Sequence, residues 1–179
     1  MQDRLYFFSR SKDVAPGRGV NEIADVKNYL ELAKVKEWRK RLSHFDATIP
    51  FRFEGATYRT IEHAFQAKKI GLLDPEKAKL FTIESGHEIG LGDGQMAQKN
   101  RKLVKLSPEL LGQWAQIQPA FLLAVAEAKW RLDPEVLLLT GDAQLFHIQR
   151  AKPAARFLHL EKARHALRRE KEDGQNYEA

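Results

Sequence analysis

Three times in this chain a capping residue, a proline and an acid follow one another: Asp74-Pro75-Glu76, Ser107-Pro108-Glu109 and Asp133-Pro134-Glu135. The Asp or Ser side chain accepts from a first-turn amide. Proline at the first helical position gives up only an N–H with no helical partner, and the acid meets the positive end of the helix dipole. Each triplet therefore predicts a helix start. Thr60, ahead of Ile61-Glu62-His63, supplies another, for a helix running to about Leu72. Phe121, Val125, Ala128 and Leu132 recur at helical spacing as a core-facing stripe. Ile23, Val26, Leu30 and Ala33 do the same within a helix expected over 22–41. A last helix is expected over 153–169, with a polar, fraying tail at 171–179.

Strand signals are few. Residues 4–9 form a short aromatic run, and Phe51-Arg52-Phe53, Glu54-Gly55 and Ala56-Thr57-Tyr58 read as a small hairpin. Lys12 to Gly19, Ser43 to Pro50, Ser85 to Gly94 and Thr140-Gly141-Asp142 read as loops and turns. The expected fold class is α+β: a mainly helical single domain over 1–170 with one small sheet or hairpin, followed by the tail.

Composition narrows the function classes. With 179 residues the chain can bury a proper core. No apolar run is long enough to cross a bilayer, and Met1-Gln2-Asp3-Arg4 does not open a secretory leader, so a cytoplasmic protein is expected. The absence of Cys removes disulfides, thiolate nucleophiles and thiolate metal sites. The six His fall into no ligand pair beside carboxylates on one helix face, so no metal is expected. The net charge of +6 favours anionic partners. Much of it lies in local runs: Lys34 to Arg41, Lys99 to Lys105, and Arg164 to Lys171. Nucleic-acid binding is one reading of those runs, although no nucleic-acid-binding motif accompanies them.

The 60–70 helix carries the most chemistry. At about 3.6 residues per turn, Glu62, Gln66 and Lys69 project along one stripe. Glu62 and Lys69 lie seven residues apart, about 10 Å along the axis. That exceeds the reach of an ordinary helical ion pair. The stripe is either a solvated polar face or the lining of a site that holds something between its ends. His63 falls on another face, where packing or hydrogen bonding is the default role. Arg10, Lys12 and Arg18 surround Pro16-Gly17-Arg18-Gly19, a turn in which backbone N–H groups and cations can together meet a phosphate. Gly90-Leu91-Gly92-Asp93-Gly94 does not match a dinucleotide fingerprint.

The run Tyr58-Arg59-Thr60-Ile61-Glu62-His63-Ala64-Phe65-Gln66-Ala67-Lys68-Lys69-Ile70 resembles the signature of the NADAR (YbiA-like) family. Leu42-Ser43-His44-Phe45 resembles that family's Ser-Asn-Phe segment. Ala128-Lys129-Trp130, with Asp133-Pro134-Glu135 and Leu138 to Ala143, resembles its second block. Phe8 to Asp13 and Pro16 to Gly19 are similar to the opening of a subgroup. The chain departs from the pattern at three places. His44 stands where Asn is usual, and Asp46 where Trp or a small residue is common. Leu145 to Arg150 replaces a late Asp-x-x-Trp-Gly segment. These bear on substrate choice more than on fold.

The resemblance implies an N-glycosidase that cleaves a ribose C1′–N bond. The implied substrates are a ribosylaminopyrimidine phosphate of riboflavin biosynthesis or an ADP-ribosyl-guanine, free or on nucleic acid. Hydrolysis needs only water and substrate, and no cofactor. The expected catalytic residues are Glu62, an ionised stabiliser of sugar charge or a base, and Lys69, an anion-binding ammonium or a Schiff-base amine. Expected substrate contacts are Arg10, Lys12 and Arg18 at phosphate, Ser43, His44 and Phe45 as a wall with Phe45 on a base, Gln66 at a base edge or hydroxyl, and Asp142 at a ribose hydroxyl or water. Phe45 as a core residue and Asp142 as a turn former are equally open. Two further readings stay open: a non-catalytic module that binds ADP-ribose or a nucleotide, and a basic nucleic-acid binder.

Overall fold

The computed structural model describes residues 1–177. In chain order the helices and strands are β1 (Arg4–Phe7), α1 (Leu30–Lys34), α2 (Trp38–Arg41), β2 (Phe51–Phe53), β3 (Ala56–Tyr58), α3 (Ile61–Gly71), α4 (Pro75–Lys79), α5 (Glu88–Leu91), α6 (Gly94–Lys99), α7 (Pro108–Trp130), α8 (Glu135–Leu139), β4 (Gln144–Gln149), β5 (Lys152–Arg156) and α9 (Leu158–Tyr177). The fold is α+β, mainly helical with small sheets. Among the described residues, no helix is long and apolar enough to cross a membrane. The chain divides into two compact units: Met1–Ser43 with Asp133–Ala179, and His44–Leu132.

The first unit is built on a three-stranded sheet of order β1-β4-β5. β1 runs parallel to β4, with Leu5 opposite Leu145, and β4 pairs antiparallel with β5. Leu5, Phe7 and Leu145 are fully buried, as are Leu160 and Ala163 of α9. Tyr6 stacks on Phe146 across the parallel pair at 5.1 Å. The 144–156 hairpin corrects the sequence reading, which expected helix from residue 153. Leu145 and His147 face one side of β4 in strand alternation, and Ala151, at φ 55°, makes the turn that a glycine would have announced. α9 starts at Leu158 and continues to Tyr177 through most of the expected tail. Residues 178–179 of that tail lie outside the described residues.

The helix expected over 22–41 is broken. Ile23 bridges to Arg4, Val26–Tyr29 is a 3-10 turn capped by Asp25, and α1 ends at an extended Val35. Glu37, at φ 57°, restarts the chain into α2. Tyr29, Leu32 and Trp38 are buried, whereas Ile23 and Leu30 are exposed.

The second unit packs the β2–β3 hairpin and α3 to α7 together. Phe51 pairs with Tyr58 across the hairpin. Ala67 and Ile70 of α3 share a core with Phe81, Ile89 and Ala97. On its other side α3 meets α7, where Phe65 lies edge-on to Trp114 at 4.9 Å. The α7 stripe runs through Trp114, Phe121, Val125, Lys129 and Trp130, while Leu132, expected inside, is exposed. The 85–94 loop contains the short helix α5, and Gly90 and Gly94 in it serve packing. A Cβ on Gly90 would come within 2.0 Å of the Thr82 carbonyl oxygen, and one on Gly94 within 2.6 Å of the Phe45 ring.

Candidate active site

Thr60 opens α3 as expected: its hydroxyl oxygen accepts from the His63 amide at 3.1 Å. The His63 ring is fully buried and bonded at both nitrogens. Nε2 donates to the Ile89 carbonyl at 2.8 Å, so neutral Nδ1 accepts from the Thr60 hydroxyl at 2.7 Å. Burial holds the His63 pKa below its ordinary value, in keeping with this neutral form. Arg59 donates to the Leu91 and Gly92 carbonyls and ties the glycine loop to the same helix start.

Glu62 is 7% exposed and Gln66 is 3% exposed. One turn of helix brings the Gln66 amide nitrogen to the Glu62 carboxylate, where it donates at 2.8 Å. The sequence expects an ionised Glu62 in the first turn of α3; burial opposes that charge. Burial is the largest influence and pushes the carboxyl above its usual range, against the opposing pull of the Gln66 bond and the charges of Arg101 and Lys69. The Gln66 carbonyl oxygen is buried with no hydrogen-bond partner. An orphaned acceptor beside a buried acid is a costly arrangement in a core and a natural one in a binding site.

Lys69 lies one turn further along. It lines a pocket of about 520 Å³ together with Arg101, Lys102 and Lys105, over an apolar lining that includes Ile70 and Leu111. Glu62 and Gln66 are not among the residues that line this pocket; Lys69 and Arg101, which do, act on the Glu62 carboxyl through their charge. Arg101 was not singled out in the sequence. It stands 39 residues from Glu62, in a basic run with no periodic relation to α3.

The Ser43–Phe45 segment is placed in part. The Glu62 amide donates to the His44 carbonyl at 3.1 Å, so this segment docks on the first turn of α3. Phe45, half-buried, packs against Gly94. Lys129 anchors the chain just past Phe45: its ammonium bonds the Asp46 carboxylate at 2.9 Å and the Asp46 carbonyl at 3.0 Å, both side chains largely buried. Asp46 also accepts from the Thr48 hydroxyl at 2.5 Å. This ion pair was missed from the sequence. Its one signal was a lysine within the apolar stripe of α7.

The remaining predicted contacts belong to the first unit. Ser43 is buried there. Arg10, Lys12 and Arg18 line a single pocket of about 350 Å³ with Tyr6 and Phe8. The expected backbone cradle is corrected: Gly17 and Gly19 donate their amides to the Glu22 carboxylate at 2.8 and 2.9 Å, leaving side chains alone to meet an anion. Glu22 also pairs with buried Arg39, whose guanidinium donates to the Tyr6, Val14 and Ala15 carbonyls. Asp142 is exposed, paired with Arg168 at 2.6 Å, and that pairing holds its carboxyl below the ordinary range.

Among the described residues, no three His, Asp or Glu side chains gather as a metal site would require. Comparison of the chain with protein families, curated proteins and solved structures gives no match.

Proposed function

We propose that this chain is an N-glycosidase that hydrolyses the bond between a ribose C1′ and a nitrogen in a phosphorylated ribosyl or ADP-ribosyl substrate. One observation carries the reading: a buried Glu62 carboxyl bonded by Gln66 and within electrostatic reach of Lys69 and Arg101, two cations that line a pocket. As the C1′–N bond breaks, positive charge builds on the sugar, and a carboxylate fixed in place stabilises it without reorganising. A carboxyl raised by burial also suits proton exchange. In its protonated form it gives the leaving nitrogen a proton; it then takes one from the water whose oxygen bonds C1′. The unpartnered Gln66 carbonyl is an acceptor for a sugar hydroxyl.

Lys69 supports two routes. As an ammonium it holds a phosphate or sugar oxygen. As a free amine it attacks C1′ of the ring-opened sugar, releases the nitrogen and leaves a Schiff base that water hydrolyses. The resemblance to the NADAR blocks supports the same class of reaction. It extends to both candidate substrates, the ribosylaminopyrimidine phosphate and ADP-ribosyl-guanine.

Incubation with both substrates, followed by mass spectrometry, tests the reading; base release from either is expected. Folded protein that releases neither base contradicts it, and tight binding of ADP-ribose without release moves the chain to the class of binding modules. Borohydride added during turnover separates the two routes. A sugar adduct abolished by Lys69→Ala and retained by Lys68→Ala marks the covalent one. Lys68 is the control because its ammonium pairs with Glu54 at 2.8 Å.

A further inference from the structure

We infer that the pocket at Lys69, Arg101, Lys102 and Lys105 is a subsite for a multiply charged oxyanion, a phosphoryl or pyrophosphoryl group, with Lys102 and Lys105 as its dedicated cations. The inference deepens the hydrolase reading, and it rests on that reading only for the ligand's being a substrate.

Four of the eight residues that line the pocket are cationic and none is acidic. None of the four forms an ion pair with a carboxylate among the described residues. Elsewhere on the second unit, Lys68, Lys77, Lys79 and Lys129 each do. Glu62 is the acid whose carboxyl responds to Lys69 and Arg101, and it is a single charge. Lys102 and Lys105, both exposed, form no ion pair among the described residues, so an anion in the concavity relieves repulsion among like charges that water only screens.

The basic segment is also held in place. The Asn100 amide donates to the Met96 carbonyl at 2.9 Å, Arg101 donates to the Gln98 carbonyl at 3.2 Å, and Leu103 and Val104 pack on the core that contains Ile70. Its lysines are therefore presented from a fixed backbone. The segment leads into Ser107, the cap of the 23-residue helix α7, whose N-terminal dipole adds positive potential beside Leu106. Shape selects the ligand size. A concavity of about 520 Å³ suits a small molecule with concentrated charge, whereas a strand of nucleic acid is met by an extended basic groove.

Calorimetric titration of the full chain with inorganic pyrophosphate, at fixed ionic strength, tests the subsite without turnover. Saturable binding is expected, at least tenfold weaker in Lys102→Ala/Lys105→Ala and changed less than twofold in Lys77→Ala/Lys79→Ala, which removes the same net charge elsewhere. Equal losses in the two double variants, or no binding to the wild type at low salt, overturn the subsite. So does displacement of pyrophosphate by a single-stranded oligonucleotide at far lower phosphate concentration. Lys102- and Lys105-dependent binding with no base release from any substrate keeps the subsite and removes the hydrolase. Base release with unchanged KM in Lys102→Ala/Lys105→Ala does the reverse.

Discussion

Lys129 has the most demanding position of any cation in the second unit. Its side chain is 5% exposed, and it reaches across 83 residues to Asp46. Breaking a buried pair strands the remaining charge, which costs about 3–5 kcal/mol. Lys129→Ala is therefore expected to lower the unfolding free energy measured in urea by an amount in that range, and a loss under about 1 kcal/mol would remove the anchoring role. Glu62 predicts the opposite sign. A carboxyl whose folded pKa is raised binds protons more tightly folded than unfolded, so stability falls as pH rises from the unfolded value near 4.5 through the folded one. At neutral pH Glu62→Gln relieves this and keeps an acceptor for Gln66. A gain of about 1 kcal/mol is expected, roughly 2–4 °C in Tm, with no gain at pH 4. At this scale the sequence is legible where partners share a helix. Spacing alone puts Glu62, Gln66 and Lys69 on one stripe, whereas Asp46 reaches Lys129, and the charge of Arg101 reaches Glu62, only through tertiary packing.

Elements announced by their ends were the legible ones, with α8 a correction: it follows the third triplet, but Asp133 pairs with Arg41 and Pro134 stands at an uncapped start. α3, α4 and α7 begin where Thr60, Asp74 and Ser107 cap them, because a side-chain acceptor for a first-turn amide is written locally. Periodicity without a cap was a poorer guide. Ile23, Val26, Leu30 and Ala33 have helical spacing, yet the chain there bridges to β1, turns and restarts. The burial of Tyr29, Leu32 and Trp38 decides that path, not the earlier positions. The 144–156 hairpin was hidden because its turn uses Ala151 rather than glycine, and because β4 pairs with a strand from the far end of the chain. The glycine-rich loop, which fails as a nucleotide motif, has a steric purpose instead. Gly90→Ala is expected to destabilise by about 2 kcal/mol or more, since its Cβ would collide with backbone rather than with a side chain that can move. A thermal melt measures it; an unchanged Tm would contradict the close approach.

Three histidines give the whole molecule a common acid response. Burial holds His63 and His147 below the ordinary imidazole value and His159 down to about 4. A group with a depressed folded pKa is protonated first in the unfolded chain. The stability these histidines contribute is therefore full above about pH 6.5 and is lost as pH falls toward 4. Tm at pH 5 should lie below that at pH 7.5, with His159→Gln recovering on the order of 1 kcal/mol. A Tm difference between His159→Gln and wild type that is the same at pH 5 and pH 7.5 would contradict the burial. The proposed activity depends on the second unit, where the α3 acid lies in electrostatic reach of Lys69 and Arg101. Single-turnover base release by Glu62→Gln, beside wild type and Lys68→Ala, tests it most directly. The expected result is a rate at least about 10²-fold below wild type in a variant that melts no lower, with Lys68→Ala unchanged. A Glu62→Gln rate within threefold of wild type would contradict it.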